Sequence, residues 1–257
     1  MKRLAVMSRE DQCSLKVKDR IINELSDLYI YDEDHPDLVI SVGGDGTMLY
    51  SIHRYIDLLD EVCFLGLHTG TLGFYTDYLK EECDEMIHDI RTKQGSIFER
   101  YLLKVKYGEE EDYALNEVRI ENNMQSLVMD VYIDEEHLET FRGNGLCVST
   151  DSGSTAYNRS LRGAVIYPGN RVMQLSEIAG IHHNAYGSLE SSLILDDSHK
   201  INIFALDLSH AVLGVDHNVY KLNGLNQVEI EISQRSARFI QYKPLSFVGR
   251  IKRAFIK

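Results

Sequence analysis

The sequence predicts a two-domain fold in which an α/β domain precedes a β-rich domain. The first observation is that strand and helix signals alternate through the first hundred residues. Short apolar runs predict buried strands at 4–7, 38–42 and 62–67, and helical segments are predicted at 48–59 and 81–91. Strands that alternate with helices are typical of a parallel sheet, so we expect a Rossmann-like N-terminal domain.

The second observation is a change of pattern near residue 97. Short strand-like segments then follow one another with few helices, and polar and apolar residues alternate regularly at 200–204 and 228–232. This pattern is typical of a β-sandwich-like domain. We therefore expect an α/β domain over 1–97, a β-rich domain over 98–240, and a C-terminal segment over 241–257 that packs back on the first domain.

The basic stretch 250–253 lies in this last segment and predicts a short final helix. Its cations would suit the negative end of the helix dipole.

Composition narrows the class of protein. The chain has 257 residues, of which 44% are apolar, as in ordinary globular proteins, and no apolar run is long enough for a transmembrane helix. The apolar start is too short for a secretory signal, so a cytoplasmic protein is expected. The net charge of -13 disfavours nucleic acid and anionic membranes as partners.

The four cysteines, Cys13, Cys63, Cys83 and Cys147, are far apart and form no CxxC pair. We therefore expect reduced, mostly buried thiols and no metal site built from protein side chains.

The strongest local signal is Gly43-Gly44-Asp45-Gly46-Thr47, which lies between a predicted strand and a predicted helix. Glycines let the backbone approach a ligand, and the start of a helix offers N–H groups to phosphate oxygens. A carboxylate here would repel phosphates, but it makes sense if it faces a hydroxyl about to attack one. The alternative is a plain strand-to-helix turn with Asp45 as its cap. No Gly-Lys-Ser/Thr follows, so this is not a Walker loop.

Three further segments are informative mainly in combination. Phe74 and Tyr75 follow glycines and could border a flat ring, or could simply pack over a turn. Asn116 and Glu117 could hold ribose hydroxyls and a base edge, although a hairpin turn is the alternative. The run Gly153-Ser154-Thr155-Ala156-Tyr157-Asn158 offers N–H and O–H donors and a ring that can stack on a base, and its alternative is a capped helix start.

In this order and spacing, the four segments resemble the NAD kinase family in its short bacterial form. Diacylglycerol-type lipid kinases and phosphofructokinases share the glycine loop but would lack the Asn-Glu and Gly-Ser-Thr-Ala-Tyr segments in this arrangement. The resemblance covers nearly the whole chain, continuing through 173–179, the turn at 215–217 and the stretch 238–255.

The resemblance implies an activity. The terminal phosphoryl group of ATP, or of polyphosphate, would be transferred to the 2′-hydroxyl of the adenosine ribose of NAD, giving NADP. A divalent metal ion, Mg²⁺, would accompany the donor phosphates, and the protein would form a homodimer or homotetramer.

The resemblance also implies a role for each matching residue. Asp45 would accept the proton of the ribose hydroxyl, and Gly43, Gly44 and Thr47 would form the phosphate loop. The residues that would contact the dinucleotide are Gly46, Phe74, Tyr75, Asn116, Glu117, Arg142, Asn144, Ser152, Thr155, Ala156, Tyr157, Asn158, Ser160, Ala179 and His217.

The chain departs from the family pattern in three places. Asn144 stands where the family usually has aspartate, Asp151-Ser152 replaces Pro-Thr, and the segment 180–186 lacks an expected arginine. We expect Asp151 to add a negative charge beside the predicted pocket. These changes leave open a non-catalytic NAD(P)-binding sensor on the same fold. A diacylglycerol-type lipid kinase is the other alternative, but no run supplies the apolar mouth that acyl chains need.

Overall fold

The computed structural model describes residues 1–70, 73–181, 188–243 and 246–256. The chain divides into two compact units: unit 1 comprises residues 1–99 and 236–257, and unit 2 comprises residues 100–235. Unit 1 has a parallel sheet with helices and unit 2 has antiparallel sheets, so the predicted fold class is confirmed, including the return of the C-terminal segment to the first unit. The domain boundaries drawn at 97 and 240 stay a prediction about separately folding domains.

Unit 1 is built on a parallel sheet. Its strands are β1 (Lys2–Ser8), β2 (Tyr29–Tyr31), β3 (Leu38–Gly43), β4 (Cys63–His68) and β5 (Tyr78–Leu79). Its helices, numbered along the whole chain, are α1 (Gln12–Glu24), α2 (Asp45–Arg54), α3 (Cys83–Thr92) and α5 (Phe247–Phe255). The strand β1 pairs with β2 and β3, and β4 pairs with β3 and β5, all in parallel.

The central strand β3 is buried at every residue, as its unbroken apolar run requires. Carboxyl ends of parallel strands meet at one edge of a sheet, so the segments that follow β3 and β4 become neighbours. The backbone N–H of Thr69 donates to the carbonyl of Gly43 at 3.2 Å and joins the two segments. None of the helices in the described parts of the chain is long and apolar enough to cross a membrane.

Unit 2 contains two sheets of mainly antiparallel strands. Its strands are β7 (Glu110–Ala114), β8 (Glu117–Glu121), β9 (Leu127–Ile133), β10 (Glu136–Gly143), β11 (Gly145–Thr150), β12 (Val172–Ile178), β13 (Leu193–Asp196), β14 (Lys200–Phe204), β15 (Val212–Val215) and β16 (Asn218–Lys221), with the short helix α4 (Tyr157–Ser160). The chain enters unit 2 within β6 (Ser96–Tyr107) and leaves it within β17 (Gln227–Gln241).

One sheet of unit 2 has the strand order β13-β12-β11-β8-β15-β16, and in the other β10, β9, β14 and β17 are neighbours in that order. Apolar residues from both sheets form one continuous core, among them Val118, Val148, Met129, Phe141 and Ile201. Alternation of polar and apolar residues along each strand therefore places one face of each sheet in the core, as a sandwich requires.

The predicted final helix is present as α5, but Arg250, one of its cations, makes tertiary contacts and does not lie at the C-terminal end of the helix. Lys252 and Arg253 do lie in its last turn. Arg250 is only 8% exposed and donates hydrogen bonds to the carbonyls of Gly73 (2.7 Å) and Thr76 (2.6 Å). It also forms an ion pair with the buried carboxylate of Asp77. Arg250 thus fastens α5 to the loop 73–77, which a reading of helix charge alone could not reveal.

Replacing Arg250 by alanine should lower the free energy of unfolding by about 3–5 kcal/mol, because it leaves the Asp77 carboxylate buried without its cation. Urea denaturation measures this loss. The matched control is Arg253→Ala on the exposed side of the same helix, which should change the free energy by no more than about 0.5 kcal/mol. Equal values for the two variants would contradict a clamping role for Arg250.

Candidate functional site

The carboxylate of Asp45 holds the loop that follows β4. The helix α2 begins at Asp45, and its N-cap is Gly44, which makes no side-chain cap bond. The two carboxylate oxygens of Asp45 instead accept backbone N–H groups, Oδ2 from Phe74 at 2.9 Å and Oδ1 from Tyr75 at 3.0 Å. The alternative in which Asp45 caps the helix is therefore wrong.

Two glycines allow this close approach. A Cβ atom on Gly73 would lie 2.2–2.5 Å from the carboxylate atoms of Asp45, and one on Gly43 would lie 2.1 Å from Oγ1 of Thr47. Gly46, in contrast, is exposed, with no heavy atom within 4 Å of where its Cβ would be. The loop is therefore tightly packed on the side of Asp45 and open at Gly46.

The imidazole of His68, at the end of β4, lies over the same loop. Its Nδ1 accepts the backbone N–H of Gly70 at 2.7 Å, so in the neutral ring the proton is on Nε2. Nε2 would lie 3.3 Å from a Cβ on Gly44. Burial lowers the pKa of His68, opposed by the nearby charge of Asp45. Sequence reasoning gave His68 no role, although its place at the carboxyl end of a predicted strand was a usable signal.

A cavity of about 810 Å³ opens beside the glycine loop in unit 1. The loop contributes Gly44, Gly46 and Thr47 to its wall, and the cations that line it are Arg9, Lys18 and Arg54. Lys18 and Arg54 both lie within ion-pair distance of Glu33, and Arg9 pairs with Asp11. The acidic residues Glu10 and Glu33 line the cavity as well, so its wall combines loop backbone, three cations and two carboxylates.

In unit 2, the side chain of Asp216 fixes the turn that carries Asn116 and Glu117. Its carboxylate accepts the backbone N–H groups of Leu115 (2.8 Å), Asn116 (2.7 Å) and Glu117 (3.2 Å). Asp216 is buried in the β15–β16 turn with a φ of 52°, a conformation that aspartate tolerates better than most residues. Sequence reasoning selected its exposed neighbour His217 and missed Asp216.

The Gly-Ser-Thr-Ala-Tyr segment packs directly against this turn. A Cβ on Gly153 would lie 1.9 Å from the carbonyl oxygen of Asn116, so only glycine fits. Thr150 links the two segments, because its Oγ1 donates to the carbonyl of Leu115 at 2.6 Å and accepts the N–H of Gly153 at 2.9 Å. The capped helix start is wrong here, since the N-caps of the 3₁₀ turn and of α4 make no side-chain cap bonds.

Two of the predicted contact residues in this segment point into the fold. Asn158 is 0% exposed, and its Oδ1 accepts the hydroxyl of Ser176 at 2.7 Å. Ser152 is buried and accepts a hydrogen bond from Arg100 at 2.9 Å. Their positions suit residues that support the segment, whereas Thr155, Ala156, Tyr157 and Ser160 reach the surface at least in part.

A third group of predicted residues meets where β10 passes into β11. The amide Nδ2 of Asn144 donates to the carbonyl of Asn122 at 2.9 Å, a bond that an aspartate could not make. The backbone carbonyl of Arg142 accepts the N–H of Ile181 at 2.7 Å, beside Ala179 with its φ of 46°. The structure therefore brings Arg142, Asn144 and Ala179 together. Most of the segment 180–186 lies outside the described residues.

The carboxylate of Asp151 is buried and hydrogen-bonded within the fold. Asp151 is 2% exposed, and its Oδ2 accepts the backbone N–H groups of Gly169 (2.6 Å) and Asn170 (2.7 Å). Burial raises the pKa of Asp151, opposed by these two N–H groups and by Arg100. The side chain thus turns inward and holds the loop at 169–170, and the expected effect of Asp151 on a ligand stays a prediction.

The carboxyl group of Glu117 has a strongly shifted pKa. It is 6% exposed, and its Oε2 atom is buried without a hydrogen-bond partner. Burial, followed by the charge of Asp216, raises the pKa of Glu117 to about 7, while Arg119 and the backbone N–H of Tyr157 oppose the shift. Sequence reasoning missed Arg119, although its position two residues after Glu117 on a strand predicts the same face of the sheet.

Comparison with known proteins decides the family. The profile of the ATP-NAD kinase N-terminal domain matches residues 2–94, and that of the ATP-NAD kinase C-terminal domain matches residues 115–242. The chain is 38% identical to an NAD kinase of Staphylococcus epidermidis and 37% identical to one of Staphylococcus aureus, over 99% of this chain and 97% of each relative. The chain belongs to the NAD kinase family.

Solved structures of the NAD kinase family share the fold. Yeast NADH kinase complexed with NADH superposes with a TM-score of 0.85 at 18% identity, covering 100% of this chain and 87% of that one. An NAD kinase from Archaeoglobus fulgidus in complex with ATP gives a TM-score of 0.76 at 23% identity, covering 98% and 95%. These structures show that the whole chain shares their fold, and the resemblance inferred from the motifs is confirmed by the two domain matches and by the Staphylococcus relatives.

The residues expected for an NAD kinase therefore form local groups within each unit. Unit 1 gathers Gly43, Gly44, Asp45, Gly46, Thr47, Phe74 and Tyr75, and unit 2 gathers Asn116, Glu117, Thr155, Ala156 and Tyr157, with Arg142, Asn144 and Ala179 as a second cluster. Tyr75 is only 5% exposed and stacks on Phe239 with ring centroids 5.9 Å apart. Its ring therefore supports the loop more than it offers a surface.

The raised pKa of Glu117 predicts how stability depends on pH. The proton on this carboxyl stabilises the folded state fully below the unfolded pKa near 4.5, and this contribution is lost as the pH rises to about 7. Between pH 5 and pH 8, the ligand-free protein should therefore lose about 2 kcal/mol more of its unfolding free energy than Glu117→Gln does.

Urea denaturation at the two pH values measures this difference. The exposed residue of the same unit, Glu136, provides the control, and Glu136→Gln should follow the unsubstituted protein. Identical pH dependence in Glu117→Gln and the unsubstituted protein would refute a raised pKa at this site.

Proposed function

We propose that this member of the NAD kinase family transfers the terminal phosphoryl group of ATP to the 2′-hydroxyl of the adenosine ribose of NAD, with Asp45 as general base. The observation that carries this proposal is the Asp45 carboxylate, oriented by two backbone N–H groups at the edge of a glycine loop. A ribose hydroxyl is a weak nucleophile, and a positioned carboxylate can take its proton as the new P–O bond forms.

The geometry of Asp45 suits this role. Each carboxylate oxygen accepts one backbone N–H and keeps lone-pair capacity for one further hydrogen. The loop 73–77 that supplies the two N–H groups is itself held by Arg250. Because phosphoryl transfer depends mainly on alignment and on neutralising charge, a rigidly held base is what the reaction requires.

We assign the donor phosphates to the cavity beside Gly44, Gly46 and Thr47. The first N–H groups of α2 lack acceptors within the helix and carry the positive end of its dipole. The cations Arg9 and Lys18 line the same cavity. These features accept any chain of phosphates, so ATP and polyphosphate are both to be tested as donors.

We assign the adenosine half of NAD to the group around Glu117. Its unpartnered Oε2 can accept a ribose hydroxyl, the amide of Asn116 can pair with a base edge, and the ring of Tyr157 can stack on a base. The remaining contacts proposed for the dinucleotide are Gly46, Phe74, Arg142, Asn144, Thr155, Ala156, Ser160, Ala179 and His217, with Tyr75, Ser152 and Asn158 in support.

We propose that a divalent ion, most simply Mg²⁺, takes part through the donor. The described residues contain no group of three or more His, Cys, Asp or Glu side chains able to hold a metal ion. Mg²⁺ commonly binds through substrate phosphates, whose charge it neutralises.

We further propose, on family resemblance alone, that the protein is cytoplasmic and forms a homodimer or homotetramer. Size-exclusion chromatography with light scattering would test the oligomeric state.

The alternative of a non-catalytic sensor was based on two departures from the family pattern, Asp151 and Asn144, and the contacts of both residues weaken it. Asp151 is turned into the fold, and Asn144 makes a backbone bond that suits an amide. Membership in the NAD kinase family also removes the reason to consider a lipid kinase.

Asp45→Asn should lower the turnover of NAD to NADP by ~10²–10⁴-fold, because the amide cannot take the ribose proton. The assay supplies NAD, ATP and Mg²⁺ and detects NADP with an NADP-specific dehydrogenase. Asparagine has a single acceptor oxygen, so one of the N–H bonds from Phe74 and Tyr75 will also be lost. Calorimetric binding of NAD must therefore be measured alongside and should be retained. The exposed control Asp60→Asn should leave turnover unchanged, and unchanged turnover in Asp45→Asn would remove Asp45 from the mechanism.

Gly73→Ala separates the position of the base from its presence. The new Cβ would lie within 2.5 Å of the Asp45 carboxylate and displace it while leaving its charge intact. Turnover should fall by about 10²-fold, as expected for a misplaced catalytic group. Gly249→Ala is the control, because its Cβ meets Ser246 at an ordinary 3.6 Å. Full activity in Gly73→Ala would mean that the observed carboxylate position is not the one used in catalysis.

A further inference from the structure

We propose that Arg119 is a positioning residue that holds the Glu117 carboxylate in its charged, hydroxyl-accepting form at neutral pH, which rests on the proposed function of Glu117 in binding the ribose of NAD.

Glu117 and Arg119 are two residues apart on β8, so their side chains lie on the same face of the sheet. The guanidinium Nε of Arg119 lies 3.7 Å from Oε1 of Glu117, and Nη1 lies 3.3 Å from Oε1 of Glu121. Its Nη2 donates to the backbone carbonyl of Asp216 at 3.4 Å. The guanidinium therefore connects Glu117 to the turn residue that fixes the Glu117 backbone.

The surrounding strands leave space for this side chain. Gly214 pairs with Arg119 across the β8–β15 ladder, and a Cβ on Gly214 would lie 3.0 Å from Nη2. On its other side, the guanidinium carbon lies 4.8 Å from the centroid of the Tyr157 ring. Arg119 is thus held between the ring and the strand, because planar guanidinium groups stack well on aromatic faces.

The charge balance around Glu117 makes this cation important. The titratable groups that act on Glu117 are Asp216 and Glu121, which are acidic, and Arg119. Two further groups adjoin: the thiol of Cys147 and the phenol of Tyr157, whose pKa values burial raises, so both stay neutral at pH 7. Burial, Asp216 and Glu121 favour the protonated acid, and Arg119 opposes them together with the backbone N–H of Tyr157. A protonated Glu117 would lose charge-assisted acceptance of a hydroxyl.

Two unpartnered atoms point to a ligand at this place. Oε2 of Glu117 and Nε of Arg119 are both buried and have no hydrogen-bond partner. Buried polar groups without partners are costly, so their presence together indicates a site that a polar ligand completes. A ribose hydroxyl offers the hydrogen that Oε2 needs.

The test is the pH dependence of NAD affinity, measured by calorimetry from pH 6 to 9 on the full chain. In the unsubstituted protein, affinity should rise with pH around a midpoint near 7. In Arg119→Gln, loss of the cation should move the midpoint upward by about one pH unit, which weakens binding about five-fold at pH 7 and less than two-fold at pH 9. Arg119→Lys should restore most of the original midpoint.

A matched control is Arg171→Gln. Arg171 also pairs with a carboxylate, Asp197, and lies 4.5 Å from the centroid of a tyrosine ring, Tyr101, but none of these residues belongs to the proposed site. In Arg171→Gln, the pH midpoint of NAD affinity should equal that of the unsubstituted protein. If Arg119→Gln does not fold, Gly214→Ala serves instead, because its Cβ would push the guanidinium aside, and it should move the midpoint in the same direction.

The outcomes are distinct. An affinity loss of equal size at every pH, with an unmoved midpoint, would show that Arg119 only shapes the site and would overturn the inference. Failure of the unsubstituted protein to bind NAD or to form NADP would instead overturn the proposed function. A raised midpoint in Arg119→Gln, absent when Glu117 is also replaced by glutamine, would support the inference.

Discussion

Two hydrogen bonds, from the backbone N–H groups of Phe74 and Tyr75 to the Asp45 carboxylate, are the constraint on which the arrangement of the loops in unit 1 depends. These bonds join the segment after β3 to the segment after β4, so the ends of two neighbouring strands are held together. Gly73 makes the approach possible, and Arg250 fastens the far side of the same loop. The residue proposed as the general base therefore also organises its surroundings, so we expect substitutions there to combine a chemical and a structural effect.

In unit 2, the buried carboxylate of Asp216 has a comparable structural role. Asp216 accepts three consecutive backbone N–H groups and so fixes Asn116 and Glu117 from outside their own strand. Gly153 then lets a second segment lie directly on the carbonyl of Asn116. The two units differ in one respect. In unit 1 the side chain proposed as the general base binds the backbone, whereas in unit 2 the buried Asp216 binds the backbone and Glu117 keeps one oxygen without a partner.

The sequence predicted the fold class and the family because both depend on patterns that are local in the chain, such as alternating strand and helix signals and the glycine loop before α2. It could not predict partners that come from distant parts of the chain. Asp216 lies about a hundred residues from the turn it holds, and Arg250 lies more than 170 residues from Gly73. The same limit applies to Asp151. Its sequence position predicted an added charge, but it could not predict that the carboxylate accepts the backbone N–H groups of Gly169 and Asn170.

A chain with a net charge of -13 that takes anionic ligands needs local means of admitting them. We propose that backbone amides and individually placed cations supply those means. Arg9 and Lys18 line the cavity beside the glycine loop, and Arg119 lies against Glu117. Each has an acidic neighbour that partly cancels its electric field, so the field that a ligand meets depends on a few short ion pairs. Such a site is tuned by single residues, because short-range pairs are screened far less than the long-range field of the whole protein.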